Sequence, residues 1–236
     1  MRDQLDRFGE IDTTARLLTT IAEHTTGSLT LNREDSRIRT IADSAQNNVA
    51  INYFGLSTDL LPQFPSDDNL HSQSSSRSQP VEADVTLESF EKSSATYSID
   101  RVKYTTSLKL SGVYNLFNAA AALATVRNIL KDDVDTPALI ATLSTITPAF
   151  GRGDVITVND QPLELVLVKN PSGFRLGLSS FSPEGYATMI AINDNYADGR
   201  DMSWLWDVSF ESLEHDGVKI VSGARAYDMA LRLDYD

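Results

Sequence analysis

Apolar positions follow two periods along this chain, and each change of period marks an element. In "RDQLDRFGEIDTTARLLTTIAEHT" the residues Ile11, Leu17, Leu18 and Ile21 recur at helical spacing. That predicts a helix over about 13–25, with Asp12 or Thr13 as its cap. A short β-branched run, "SLTLN", then reads as a strand, "DSRIRTIADSA" as a helix and "VAINYFG" as a second strand. Residues 56–95 break the pattern: "STDLLPQFPSDDNLHSQSSSRSQPVEADV" is rich in Ser, Asp, Gln and Pro. So little apolar surface does not offset ordering entropy, which predicts a mobile surface insertion. Alternation returns in "TYSIDRVKYTTSLKL", a hairpin. "SGVYNLFNAAAALATVRNIL" is a helix whose alanine run, Ala119–Ala122, lets a neighbour approach closely, and a further helix is expected over 136–145.

After "TPAFGRGD", which reads as a domain junction, residues 154–236 alternate strand and helix. "VITVND", "LELVLVKN" and "YATMIAIND" are the strands; "PSGFRLGLSSF" and "GARAYDMALRL" are the helical stretches. The alternation predicts a parallel sheet with crossover helices, a Rossmann-like domain. The helical "MALRLDYD" is followed by no closing strand, so the chain is expected to be part of a longer one.

Composition narrows the function. The chain has 236 residues, a net charge of −13 and a pI near 4.6. That excess of acid argues against nucleic acid or an anionic membrane surface as the partner. There is no cysteine, which excludes disulfides, thiolate nucleophiles and cysteine-ligated zinc, and the three histidines (His24, His71, His215) are far apart. No apolar run approaches a bilayer span and the first residues do not read as a signal peptide, so a cytoplasmic location is the expectation. Neither GxxxxGK[ST] nor GxGxxG occurs.

Candidate chemistry gathers in "NDNYADGRDMSWLWD", which follows the apolar strand "TMIAI". Sites in open α/β sheets lie beyond the carboxyl ends of strands, so an aspartate here is placed to orient a histidine. The chain pairs no nucleophile with a histidine, so that acid would serve another protein. The alternative is structural: Asp198-Gly199 as a turn, Asp201 as a cap, both tryptophans in the core. Asn32 in "TLNREDS" is either a nucleotide contact or an Asx-turn. Asn115 and Asn118 stand near a helix N-terminus, which favours anions, although capping alone would explain either. Arg152, between glycines, and Lys169, at a strand end, both suit phosphate.

In this order, "RDQLDRFGEIDTTARLL", "LTLNREDS", "VYNLFNAAAALA", "AFGRGD", "LVKNPSGF", "NDNYADGRDMSWLWD" and "VSGARAYDMALRL" resemble the Mur ligase family. More narrowly they resemble its MurT-type members, the ligase-like subunits of lipid II isoglutaminyl synthase. The resemblance implies an α/β chain with a truncated Mur ligase middle domain over 1–152, carrying the insertion at about 56–95, and a Rossmann-like C-terminal domain over 153–236. It also implies ATP-dependent activation of the D-glutamate α-carboxylate of lipid II as an acyl-phosphate, at the inner face of the membrane. Ammonia would come from a GatD-like glutaminase in a heterodimer. Asp201, or else Asp198, would complete the partner's Cys–His pair, and Asn32, Asn115, Arg152 and Lys169 would face the nucleotide. ATP and Mg²⁺ are the implied cofactors. The family's four-cysteine zinc ribbon has no counterpart in the Ser-rich stretch at 62–80, so no zinc is expected. The family's phosphate loop would lie upstream of "RDQLDR", so this chain by itself is expected not to bind ATP productively. The readings that compete with this one are a non-catalytic docking fragment and a Mur ligase that adds an amino acid.

Overall fold

The computed structural model describes residues 11–64, 81–91, 94–110, 112–147, 152–181, 183–195, 199–215 and 217–236. They form two compact units: residues 15–167, and residues 168–236 together with residues 11–14.

Helix α1 (Ile11–His24) contains Asp12 and Thr13 rather than being capped by them. Strand β1 (Ser28–Asn32) leads into α2 (Ser36–Ile41), whose cap is Asp35: its carboxylate accepts the Arg37 and Ile38 N–H groups. Strand β2 (Ala50–Leu56) pairs parallel with β1, as the sequence predicts for an α/β unit. The stretch 56–95 is only in part what its composition predicts. Residues 65–80 lie outside the described set, but Thr58–Gln63 is a 3-10 helix and Val85–Glu91 is strand β3, parallel to β2. The reason is local: "VTLESFE" alternates, and Val85 and Leu87 are completely buried, a pattern masked by the Ser-rich residues before it.

The predicted hairpin is present as β4 (Ser94–Ile99) and β5 (Val102–Ser107), antiparallel to β3 and to each other. Its turn is Asp100-Arg101, both at positive φ, the geometry that follows the twist of the flanking strands. The sheet order is therefore β1-β2-β3-β4-β5, with one row running Asn32, Phe54, Val85, Ile99 and Val102.

Helix α3 (Val113–Leu130) covers one face. Of the predicted run Ala119–Ala122, Ala119 and Ala120 are buried, together with Ala124, and meet the sheet beside Val85, Leu87, Ala95, Tyr97 and Ile99, whereas Ala122 is exposed. Tyr97 is fully buried and donates its hydroxyl to the Leu116 carbonyl at 3.1 Å; burial holds its phenol above the ordinary tyrosine range. Helix α4 (Thr136–Thr142) carries Pro137 in its first turn behind the cap Asp135 and runs into a 3-10 turn, Leu143–Thr145, which matches the expected 136–145.

Strands β6 (Arg152–Val158) and β7 (Gln161–Val166) correct the expectation of parallel units in this region. They are antiparallel, joined by Asn159-Asp160 at positive φ, and two residues cannot make the crossover that parallel strands need. The second unit holds the parallel pair, β8 (Thr188–Ala191) with β9 (Val218–Ser222). Helix α5 (Pro171–Ser180) precedes it and α6 (Ala226–Asp234) follows it. Its core is Phe174, Ile190, Ile192, Met202, Trp204, Leu205, Val208, Phe210, Leu213 and Met229. No helix among the described residues is long and apolar enough to cross a membrane.

Candidate functional site

The carboxyl ends of β8 and β9 are stitched together by backbone groups. Ile192 donates its N–H to Ser222 and its carbonyl accepts the Arg225 N–H, both at 3.0 Å; the Ala224 N–H reaches the Asn193 side-chain oxygen at 3.0 Å. This closeness requires Gly223. It adopts φ +91°, and a Cβ there would intrude on the Ile192 carbonyl. Arg225 then lies between two acids, 3.6 Å from Asp194 and 3.1 Å from Asp228. The sequence signal was the glycine of "VSGARA" after a β-branched run.

The acidic loop continues from that edge. Asp198 lies outside the described residues. Gly199 has φ +85°, and Asp201 accepts the Ser203 N–H on Oδ1 at 2.8 Å, capping the 3-10 turn Ser203–Asp207. Its other oxygen has no partner among the described residues. The structural alternative is thus half right. Asp201 is a cap, but one oxygen suffices for that, and only Trp204 belongs to the core. Trp204 packs on Phe174 at 6.1 Å, whereas Trp206 is 52% exposed and meets Tyr235 edge-on at 5.2 Å. Half-buried on the loop and anchored by one oxygen, Asp201 keeps a second oxygen without a partner among the described residues, which can accept an N–H from an imidazole.

The nucleotide candidates are divided between the units. Asn32 ends β1 and accepts the Glu34 N–H at 2.9 Å, an Asx-turn. Asn115 lies half-buried in the first turn of α3, after Gly112 at φ +85°, and Asn118 is exposed. Phe54, level with Asn32, packs on Phe117 at 5.1 Å, so the end of β1 and the first turns of α3 share one edge of this unit. Arg152 opens β6 opposite Val166, beside Gly153 at φ +75°. Lys169 belongs to the other unit and is exposed, just before Asn170, which caps α5 through the Gly173 N–H at 2.7 Å.

One feature of the first unit was not foreseen from sequence. Arg33 donates Nε to Glu34 at 2.9 Å and Nη2 to the Leu56 carbonyl, while Glu34 accepts the Leu56 N–H at 2.8 Å. The pair crosses β2 at Gly55, where a Cβ would stand 2.6 Å from Arg33 Nε. Beside it opens a hollow of about 590 Å³ lined by Arg33, Arg101, Glu82, Asp84, Asp100 and Thr86, among others. Its charges are already paired: Arg101 with Glu82, Asp100 with Arg127, and Asp84 on the Tyr53 N–H. Among the described residues no three histidine or acidic side chains gather where they could hold a metal ion.

Comparison with known proteins converges on one group. Residues 167–236 match the family described as MurT ligase C-terminal. The lipid II isoglutaminyl synthase (glutamine-hydrolyzing) subunit MurT of Staphylococcus aureus is 28% identical over 262 residues, covering 98% of this chain and 57% of that one. Its Streptococcus pneumoniae counterpart is 30% identical over 141 residues, covering 58% of this chain and 30% of that one. The match therefore spans little more than half the length of the Staphylococcus aureus relative and under a third of the Streptococcus pneumoniae one. Among solved structures, a pseudomurein peptide ligase type C from Methanothermus fervidus superimposes with a TM-score of 0.71 at 19% identity, over 98% of this chain and 49% of that one. MurF from Acinetobacter baumannii gives 0.70 at 19% identity, over 98% and 46%. At such identities the likeness is one of fold, and the fold is that of the Mur ligases.

Proposed function

We propose that this chain is the part of a MurT-type subunit that carries the helix and strand edge for a nucleotide and the acid loop for a glutaminase. The whole subunit would transfer the γ-phosphoryl group of ATP to the D-glutamate α-carboxylate of lipid II. Ammonia would then attack the acyl carbon and expel phosphate, leaving the amide. A glutaminase of the GatD type would release that ammonia from glutamine, in a heterodimer working at the cytoplasmic face of the membrane. The observation that carries this reading is that the MurT-type match at 167–236 falls on the unit holding the Asp201 loop.

In this reading Asp201 holds the partner's histidine in the tautomer that activates its cysteine, as the aspartate of a serine-protease triad does for its serine. For the nucleotide, the donor set fits in part. Gly112, which has no side chain to block an approach, precedes α3, and Asn115 stands half-buried in its first turn. Asn32 and Arg152 are the further contacts we assign on this unit, and no side chain is assigned to Mg²⁺. The nucleotide supplies the phosphoryl group; the residues described here orient it.

The test is reconstitution with a GatD-like glutaminase. Asp201→Asn should leave the complex and ammonium-driven amidation intact while lowering glutamine hydrolysis by orders of magnitude, up to about 10⁴-fold by analogy with the same change in a serine-protease triad. Asp198→Asn serves as the comparison. Wild-type hydrolysis in Asp201→Asn would sink this assignment.

A further inference from the structure

The stretch from Asp201 to Phe210 contains one 3-10 turn, whose own N–H groups reach the Met202 and Leu205 carbonyls; donors from other elements supply the rest of its carbonyl bonds. Two arginines do this. Arg232, on α6 and only 7% exposed, donates Nε to the Leu205 carbonyl at 3.2 Å and Nη2 to the Val208 carbonyl at 2.6 Å. Its third nitrogen pairs with Asp236 at 2.8 Å, and Asp236 in turn accepts the Phe210 N–H at 2.6 Å. The guanidinium lies 5.4 Å from the Trp206 ring centre and 5.3 Å from that of Phe210. Arg175 of α5 adds a bond to the Asp207 carbonyl at 3.3 Å.

A buried cation is costly unless each of its donors is met, and apolar residues would fill this core at lower cost. What a guanidinium adds is geometry: a rigid planar fork fixes two carbonyls at once. One of those carbonyls, that of Leu205, is linked to the acid through Met202. Leu205, held at its carbonyl by Arg232, donates its N–H to the Met202 carbonyl at 3.1 Å, and Met202 is flanked by Asp201 and by Ser203, whose N–H anchors that carboxylate.

We infer that Arg232, backed by Asp236, is a positioning residue for Asp201: it fixes the loop so that the second carboxylate oxygen is presented in one place to the partner's imidazole. This rests on the reading of Asp201 given above. A lysine at 232 would keep the charge but not the fork, so it could not hold both carbonyls.

The experiment is a double-mutant cycle in the reconstituted complex, read as kcat and KM for glutamine hydrolysis and as the Kd between subunits. The four forms are wild type, Asp201→Asn, Arg232→Lys and the double variant, each checked for folding by circular dichroism. Arg232→Lys is expected to lower kcat at least tenfold with KM and Kd changed less than threefold. In the Asp201→Asn background the same change should cost less than twofold, because the residue it positions is already disabled. Equal losses in both backgrounds, or a wild-type kcat for Arg232→Lys beside a crippled Asp201→Asn, would overturn the inference and leave the Asp201 assignment standing. A wild-type kcat for Asp201→Asn would remove that assignment, and the inference with it. Should Arg232→Lys fail to fold, Asp236→Asn loosens the same arginine and is expected to give at least a threefold loss of kcat with the same non-additivity; additive loss there overturns the inference equally.

Discussion

Single residues in this chain are informative where backbone comes close to backbone. Gly223 and Gly217 both have positive φ, +91° and +66°, but only Gly223 has a carbonyl where a Cβ would go. Gly217→Ala should therefore cost about 1–2 kcal/mol, the price of a left-handed residue alone. Gly223→Ala must also displace the Ile192 carbonyl and break its bond to the Arg225 N–H, so it should cost about 2–4 kcal/mol. Urea titration of the two variants checks the ordering; equal losses would mean that the stitch between β8 and β9 adds nothing. The sequence made Asp201 legible, since an aspartate two residues before a serine in a turn reads as a cap. It did not make Arg232 legible, because its acceptors Leu205 and Val208 stand 27 and 24 residues away and nothing local marks them.

At the scale of elements, periodicity was a good guide wherever one period filled a window. The alanine-rich helix and the β4–β5 hairpin were both legible for that reason. The strand Val85–Glu91 was hidden by its polar approach, and the β6–β7 pairing by reading "VITVND" as the end of a parallel strand when its Asn-Asp is a two-residue turn. The contact between α3 and the sheet gives a prediction with a pH signature. Tyr97→Phe removes the bond to the Leu116 carbonyl and should cost about 1 kcal/mol near neutral pH. Burial raises the Tyr97 pKa in the folded protein, so the neutral phenol is favoured there. Its contribution is fully present below the unfolded tyrosine value, about 10, and is lost as pH rises above it. The stability gap between wild type and Tyr97→Phe should therefore shrink, then reverse, as denaturant titrations are carried from pH 8 past pH 10. A gap that stayed constant would mean that the phenol ionises equally well in both states.

For the molecule as a whole, the governing quantity is the net charge of −13, because the exposed ion pairs contribute little and the shielded ones are weakly screened. The Arg33–Glu34 and Arg232–Asp236 pairs have side chains at most 22% exposed, where screening is weak, while Arg101–Glu82 is exposed at both ends and contributes little at any ionic strength. Salt therefore acts mainly on the surplus of like charge, which the folded state concentrates and the unfolded chain dilutes. Raising ionic strength from about 0.01 M to 0.15 M shortens the Debye length from about 30 Å to about 8 Å, less than the size of either unit. If that relieves about 0.5–1 kcal/mol of repulsion, Tm should rise by roughly 1–4 °C for a chain of this size. The same experiment in Arg232→Met separates the two kinds of electrostatics. Losing a buried partner should lower Tm at every salt concentration, because Asp236 and two carbonyls lose their donor, yet the upward slope with salt should persist and steepen slightly as the net charge becomes more negative. A Tm that fell with salt would show that exposed pairs, rather than net repulsion, dominate this surface.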